Sequence, residues 1–302
     1  MARPRFIYLP GYYCDIGEHV FRTEKYELLH RKLLMEGLAK ENDFLPPSRA
    51  TREQLELVHT PEYLDDLMSG QHTRRTLASE MPLSRDIVNA FVLGAGGSIL
   101  ACRTALEQST GTMNLAGGFH HAFADRAEGF CYINDVAVAI KTMETEGLLD
   151  TAFICDCDLH QGNGTARIFE DDRDVFTFSI HQQNLYPPKQ NSDMDVPLPD
   201  MCGGDRYLRE LRTHLLPALD RHTPDLVLYV AGADPYEKDS LGSLRLTLDD
   251  LRARDELVMK ECADRGIPFA VVLAGGYAPE VNDTVTIHFG TAEVLVETCH
   301  AF

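Results

Sequence analysis

From about residue 112 onward, short apolar runs alternate with amphipathic segments, and this repeat restricts the fold more than any other feature of the sequence. Near-continuous apolar strands that alternate with helices are typical of a parallel sheet covered on both faces. We therefore expect an α/β fold with a mainly parallel central sheet and helices on both faces, formed by residues 1–302 as a single domain. The predicted strands lie at 112–116, 152–158, 175–181, 225–231 and 269–274. The predicted helices lie near 134–146, 164–171, 205–221, 248–265 and 283–299.

The N-terminal third has helical rather than strand patterns. Helices are predicted at 24–39, at 51–70 with a break near Thr60-Pro61, and at 84–107. The last of these contains the small-residue patch LGAGGS, which favours close packing against another helix or strand. The segment 182–204, rich in Pro, Asn and Asp, is predicted to be the longest irregular stretch, and loops of that length are often functional.

The charge of the chain is strongly acidic, with 28 Lys plus Arg against 47 Asp plus Glu and a net charge of −19. Such a protein repels phosphates, so we expect no direct binding of nucleic acid. Acidity favours the approach of lysine-bearing peptides or polyamines, although a role in solubility alone would also account for it.

The eight cysteines form no CxxC pair, and we expect them to be buried, reduced and intracellular. The first residues, MARPRFIYLPGYY, lack the long apolar segment of a signal peptide. No continuous apolar run approaches the roughly 18 residues of a membrane span. A cytoplasmic location without membrane association is therefore expected.

Polar residues follow each predicted strand at the point where it ends. Because parallel strands present their carboxyl ends at one edge of the sheet, where ligands bind, these residues are expected to form one site. The five segments bring His120 and His121; Asp156, Asp158 and His160; His181; Asp234; and Tyr277.

Residues 155–164 read CDCDLHQGNG, with Asp156, Asp158 and His160 at every second position. On a strand these side chains would share one face. Buried carboxylates are costly unless they are paired, hydrogen-bonded or bound to a metal. Asp158, His160 and Asp234 would make a catalytic zinc site with an open fourth position. Alternatively, Asp158 could cap a turn and His160 could be an ordinary core histidine. These roles explain each residue alone, but they do not explain why Asp158, His160 and Asp234 occur together.

The adjacent histidines His120 and His121 follow two glycines, which let the backbone approach a ligand closely. Each imidazole needs a partner on its second nitrogen to set its tautomer, and Asp156 and Asn163 are the candidates. Tyr277 also follows two glycines, and its phenol can donate a hydrogen bond to a developing oxyanion. The alternatives are a solvated histidine pair and an ordinary packed tyrosine.

These motifs together resemble the histone deacetylase superfamily, whose members have the arginase–deacetylase fold. The resemblance spans nearly the whole chain, and HQGNG and LAGGY look most like class IV and related bacterial members. The matching stretches are ELVHTPEYLDDL (56–67), GGFHHAFADRAEGFCYINDVAVAI (117–140), DCDLHQGNGTARIF (156–169), AGADPYEKDSLGSLRLT (231–247) and LAGGYA (273–278).

The resemblance implies a zinc-dependent amidohydrolase that uses a metal-activated water to remove acetyl or longer fatty acyl groups from the ε-amine of lysine in proteins or peptides. It assigns the zinc ligands to Asp158, His160 and Asp234. It makes His121 the general base beside His120, Asp156 the partner of His120, and Tyr277 the residue that polarises the substrate carbonyl. Asn163 stands where class I enzymes have aspartate, which weakens the pairing with His121 electrostatically, as in class II and IV members.

The resemblance also implies a substrate channel and bound potassium. Gly129 and Phe130 match one wall of the channel, and Tyr186 is expected on the opposite wall. One potassium site would use oxygens of Asp156, Asp158, His160, Ser179 and Ile180. A second would use the carbonyls of Phe169, Asp172 and Val175.

Three other functions are compatible with parts of the pattern. An acetylpolyamine or other small-amine deacylase of the same superfamily would use the same chemistry. An arginase-like two-manganese enzyme needs a further carboxylate where this chain has Gly162. A non-catalytic acyl-lysine binding module is disfavoured because Tyr277 and all three zinc ligands are present. The sequence leaves acyl length, native substrate, oligomeric state and partner proteins open.

Overall fold

The computed structural model describes residues 5–299, and its strands form one sheet in which every neighbouring pair is parallel. The strands are β1 (Arg5–Ile7), β2 (Phe44–Leu45), β3 (Gly111–Asn114), β4 (Ala152–Asp156), β5 (Val175–Gln182), β6 (Met194–Leu198), β7 (Leu226–Val230) and β8 (Phe269–Val272). They lie in the order β2-β1-β3-β8-β7-β4-β5-β6. The predicted parallel α/β fold is confirmed.

The helices surround this sheet, and α4 packs on α5, β3 and β8, while α8 packs on α7 and α9. Thr60 accepts a hydrogen bond from the Tyr63 N–H, and Pro61 occupies the first turn, so the predicted helix break is confirmed. The α-helices are α1 (Glu24–Met35), α2 (Arg52–Glu56), α3 (Pro61–Met68), α4 (Arg85–Gln108), α5 (Asp135–Thr145), α6 (Asn163–Phe169), α7 (Gly204–His222), α8 (Leu248–Asp264) and α9 (Val281–Cys299).

The core lies around the four central strands β3, β8, β7 and β4, all of whose residues are buried. Strands buried on both faces have continuous apolar sequences, which is why their positions could be predicted. All eight cysteines are buried free thiols, as expected for a reduced protein.

Helix α4 carries the predicted small-residue patch, and its glycines allow very close contacts. A Cβ at Gly96 would lie 1.8 Å from the Ser48 carbonyl oxygen, and one at Gly97 would lie 2.0 Å from the Tyr12 hydroxyl. The patch therefore packs on the loop at Ser48, on a short 3-10 helix (Pro10–Tyr12) and on Asn114 of β3, so the predicted close packing against a helix or strand is confirmed. By length and composition α4 is apolar enough to cross a membrane, but 83% of its most apolar window is buried inside the protein, as in the core helix of a soluble protein.

Three strands were not predicted, and one of them corrects the interpretation of 182–204 as wholly irregular. Residues Met194–Leu198 form β6, the edge strand paired with β5. Only Val196 and Leu198 are buried there, and Pro197 interrupts the pattern, which is tolerated on an edge strand. The strands β1 and β2 are only three and two residues long, too short to give a periodic signal.

Candidate active site

The CDCDLH motif runs from the last two residues of β4 into the loop that follows, and the geometry of this loop differs from the predicted strand. The strand ends at Asp156, so Asp158 and His160 lie beyond it and do not share its face. The Asp156 carboxylate accepts the Asp158 N–H at 3.0 Å, and the Asp158 carboxylate accepts the His160 N–H at 2.9 Å. These side chain–backbone bonds of the Asx type replace strand pairing and fold the loop back on itself. The intervening Cys157 and Leu159 are fully buried in the core.

Asp158, His160 and Asp234 converge at this edge of the sheet. Their candidate ligand atoms lie within 4.8 Å of one another, and all three residues are buried. The His160 Nδ1 is 3.1 Å from Asp234 Oδ2 and 3.3 Å from Asp158 Oδ1. Backbone N–H groups of Leu159 and Gly275 donate to Asp234 and Asp158, both at 3.0 Å, and orient the carboxylates. Two carboxylates and one imidazole are a donor set that suits zinc.

Two glycines leave room for these carboxylates. A Cβ at Gly275 would lie 2.2 Å from Asp234 Oδ2, and one at Gly232 would lie 2.4 Å from Asp158 Oδ2. Any larger residue at either position would push a carboxylate out of place. The glycines beside the strand ends are therefore needed for these carboxylates to converge.

The charges of the three residues also fit a cation. Burial opposes protonation of His160, but the hydrogen bonds and charges of Asp158 and Asp234 raise its pKa to about 10. Burial and the charge of Asp158 raise the pKa of Asp234 to about 6. The carboxylates thus draw a proton to His160, and a metal ion between them would take the place of that positive charge.

Behind the candidate metal site, the guanidinium of Arg254 joins the loops after β4 and β7. Its Nη1 donates to the carbonyl of Gly232 at 2.6 Å and to that of Cys157 at 3.3 Å. The side chain is fully buried and forms an ion pair with Asp255, whose carboxylate also accepts the Tyr229 hydroxyl. The sequence gives no sign of this role, because arginine in a helix usually indicates an exposed face.

The structure brings His120 and His121 together beside the three converging residues. The His120 Nδ1 is 2.7 Å from Asp156 Oδ2, and the His121 Nδ1 is 2.8 Å from Asn163 Oδ1. The two Nε2 atoms are 3.2 Å apart. Each ring therefore has a partner behind it and its other nitrogen directed toward the neighbouring histidine.

The two histidines have opposite charge preferences. Burial opposes protonation of His120, but the charges of Asp156 and Asp158 raise its pKa to about 9. Burial, together with the charges of His120 and His160, holds the pKa of His121 well below its usual value. A charged imidazole thus lies beside a neutral one, which is the member able to accept a proton.

The loop that carries the histidines is held by two residues that the motif analysis did not single out. The Asp135 carboxylate accepts the N–H groups of Gly118 at 3.0 Å and Phe119 at 2.7 Å. The His59 Nε2 accepts the Asn134 N–H at 3.0 Å, and its Nδ1 is 3.0 Å from the Phe123 carbonyl oxygen. An aspartate in the first turn of a helix resembles an ordinary capping residue, so the sequence did not indicate this contact.

A narrow channel of about 190 Å³ reaches the site from the surface. Gly129, Phe130 and Tyr186, the predicted wall residues, line it, and His121, His160 and Tyr277 also border it. The Tyr186 ring centre lies 5.6 Å from that of His121. Sequence reasoning missed three further lining residues, Glu80, Leu185 and Leu241.

Tyr277 lies on the loop after β8 and borders the channel. Its N–H donates to Asp239 Oδ2 at 2.7 Å, and its ring centre is 5.8 Å from that of Phe130. Burial, together with the charges of Asp234 and Asp158, raises the pKa of the phenol well above 10. The hydroxyl is therefore protonated at neutral pH and can act as a donor.

The residues predicted to bind potassium lie in two places. Asp156 and Ser179 are paired across β4 and β5, and Ile180 follows in β5. The second set lies where α6 leads into β5, at Phe169, Asp172 and Val175. The Lys141 ammonium binds the Asp172 carboxylate, which leaves the Asp172 carbonyl for any cation at the second site.

Comparison with known proteins gives a consistent family assignment. The profile of the family described as "Histone deacetylase domain" matches residues 19–292. An uncharacterized protein of Picosynechococcus sp. is 41% identical over 285 residues, covering 93% of this chain and 95% of that protein. "Histone deacetylase 2" of Arabidopsis thaliana is 30% identical over 271 residues, covering 86% of this chain and 70% of that protein.

Among solved structures, the HD domain of HDA15 has a TM-score of 0.83 against this chain. The alignment covers 98% of this chain and 88% of that one, at 23% sequence identity. At this level of sequence identity, the similarity shows that the two chains share a fold.

Proposed function

Since the chain belongs to the histone deacetylase family, we propose that it is a zinc-dependent amidohydrolase that removes an acyl group from the ε-amine of lysine in a protein or peptide. The observation that carries the proposal is the convergence of Asp158, His160 and Asp234 beside a histidine pair and Tyr277. All of these residues border one narrow channel or lie directly behind it. The closer likeness to class IV members stays a prediction.

Each residue of the chain would have a distinct part in hydrolysis. A zinc ion held by Asp158, His160 and Asp234 would supply Lewis acidity that polarises the amide carbonyl and lowers the pKa of water. His121, the neutral imidazole, is placed to take the proton of the attacking water. The Tyr277 hydroxyl donates to the developing oxyanion. The histidine pair then returns a proton to the departing amine.

The channel favours an acylated lysine over bulkier substrates. Its volume of about 190 Å³ admits one extended side chain, and Phe130, Leu185 and Tyr186 offer apolar contacts. Lysine has a four-carbon apolar stem that such walls would cover. The acidic character of the chain, with a net charge of −19, assists the approach of basic peptides.

One observation favours a second candidate, a deacylase of small polyamines. Glu80 lines the channel among otherwise apolar or site residues. Its carboxylate could bind a second ammonium group of an acylated polyamine, which an acyl-lysine side chain does not carry. The same hydrolytic residues would serve this reaction.

The discriminating experiment compares acetyl-, decanoyl- and myristoyl-lysine peptides with acetylated putrescine and spermidine, using the zinc-loaded protein. We expect kcat/KM for at least one acyl-lysine peptide to exceed that for both polyamines. Higher kcat/KM for a polyamine, lost on Glu80→Gln, would instead support the second candidate. Turnover of every substrate at the rate of the zinc-free protein would contradict the proposed hydrolase and favour an acyl-lysine binding module.

We also propose that potassium binds at the oxygens of Asp156, Asp158, His160, Ser179 and Ile180. The support is the burial of the two carboxylates close together, which a monovalent cation would offset. Replacement of potassium by tetramethylammonium at constant ionic strength is expected to lower the thermal midpoint by a few degrees. An unchanged midpoint in a potassium titration would contradict the assignment.

A further inference from the structure

Behind the Asn163 amide lies a carboxylate that the reaction outlined above does not use. The Asn163 Nδ2 donates to Glu128 Oε1 at 2.8 Å. The Glu128 side chain is only 17% exposed, and its second oxygen lies 3.5 Å from the Arg126 Nε. Glu128 does not itself line the channel, but burial together with the charge and hydrogen bond of Glu128 raises the pKa of the channel residue Tyr186. Asn163 is the contact through which Glu128 reaches the His121 Nδ1.

The contacts of Asn163 fix which way its amide faces. A carboxylate only accepts hydrogen bonds, so the NH₂ group must face Glu128 and the carbonyl oxygen must face His121. That oxygen lies 2.8 Å from the His121 Nδ1. Because a carbonyl oxygen also only accepts, the hydrogen must be on the His121 Nδ1. In the neutral ring the Nε2 lone pair is then free to accept a proton.

Without the carboxylate, the amide would lose this constraint. A rotated Asn163 would direct its NH₂ group at the His121 Nδ1 and favour the tautomer with hydrogen on Nε2. That tautomer offers no lone pair at Nε2, the nitrogen that faces His120 at 3.2 Å. The residue at position 128 therefore influences which tautomer His121 adopts, although it does not contact the His121 ring.

We infer that Glu128 is a positioning residue for the general base, because it orients the Asn163 amide and thereby holds His121 in the Nδ1–H tautomer. Through the same two hydrogen bonds it stabilises the imidazolium that forms when His121 accepts a proton. The inference rests on the proposed hydrolytic function. Asn163 is neutral and cannot by itself supply a counter-charge. The Glu128 carboxylate, which lies one hydrogen bond further from His121, supplies this counter-charge. The attraction is weaker at that longer distance but still favourable.

The first test is a double-mutant cycle over Glu128→Gln and Asn163→Asp, with kcat, KM and zinc content measured for each variant. Glu128→Gln should lower kcat roughly tenfold with little change in KM or zinc. Asn163→Asp alone places two carboxylates in contact and should also lower kcat. In the Glu128→Gln background the same Asn163→Asp change should raise kcat, because residue 163 then carries the only charge.

Asp125→Asn is the matched control, because it removes a carboxylate of 63% exposure from the same loop and should leave kcat unchanged. A reversal of sign for Asn163→Asp between the two backgrounds is not expected of a residue that only stabilises the loop. Equal effects of Asn163→Asp in both backgrounds, or a wild-type kcat in Glu128→Gln, would overturn the inference.

A second measurement does not depend on turnover and separates this inference from the proposed function. Long-range ¹H–¹⁵N spectra of the zinc-free protein distinguish the two neutral histidine tautomers. His121 is expected as the Nδ1–H tautomer in the wild type, with the Nε2–H form gaining population in Glu128→Gln. An Nε2–H ring in the wild type, or an identical spectrum in the variant, would reject the role of Glu128 whether or not acyl-lysine is the substrate.

Discussion

Asp158→Ala and Asp234→Ala are each expected to abolish stoichiometric zinc binding and to reduce acyl-lysine hydrolysis to the zinc-free rate. Each change leaves two of the three converging ligands, and His160 loses one of the carboxylates that orient its Nδ1. The loss should exceed the roughly 10–100-fold effect of removing a residue that only orients a ligand. Elemental analysis of the purified variants, together with turnover of an acyl-lysine peptide, measures both effects.

Folding must be monitored in the same variants, because each carboxylate accepts a hydrogen bond from a buried backbone N–H. Asp158→Ala removes the acceptor of the His160 N–H, so Asp158→Asn, which keeps an acceptor, is the better companion variant. Asp234→Ala removes the acceptor of the Leu159 N–H in the same way, so Asp234→Asn is the companion variant at that site. Full zinc content in both alanine variants would contradict the ligand set.

Tyr277→Phe is expected to lower kcat by about 10²–10³-fold while zinc content and the fold are retained. The phenol is protonated, since burial and nearby carboxylates raise its pKa, and it is therefore the donor available to a developing oxyanion. The phenylalanine ring keeps its position near Phe130, with ring centres 5.8 Å apart in the native protein. Steady-state kinetics on an acyl-lysine peptide, with parallel zinc analysis, provide the measurement.

A matched control for this variant is Tyr13→Phe, which removes the same hydroxyl group from an exposed tyrosine on the N-terminal loop. Its kcat should equal that of the wild type. Because Tyr277 would act mainly in the transition state, KM should change much less than kcat. Equal kcat for Tyr277→Phe and the wild type would remove Tyr277 from the mechanism, whereas a loss of zinc would indicate a structural role instead.

The central strands could be predicted because burial on both faces requires continuous apolar sequence, as in Leu226–Val230. The edge strand at Met194–Leu198 could not, because it buries only alternate residues and contains a proline. The helices followed from their caps and periodicity, as at Thr60-Pro61. The local sequence pattern thus predicts a strand or helix only where burial follows one regular pattern along the whole segment.

The candidate site shows the same division between local and long-range information. The motif around Asp158 and His160 predicted that these residues lie close together, but their convergence arises from turn bonds rather than from strand alternation. Glu128 lies 35 positions from Asn163 in the chain, and no local pattern marks their contact. Arg254 lies 22 positions from Gly232 and 97 from Cys157, the residues of the two loops that it joins. Such partners are set by how the elements pack, which a single sequence does not reveal.

The buried Arg254 bears on which ion the candidate metal site would select. Its guanidinium holds the backbone of both loops at once, so the spacing between Asp158 and Asp234 cannot widen without breaking one of its buried hydrogen bonds. A metal site whose ligands are held at fixed distances selects ions by their radius and coordination number, because it does not adjust to each ion. Calcium prefers about six to eight oxygen ligands and would be undercoordinated by these three residues, whereas an ion that prefers tetrahedral coordination would need one further ligand.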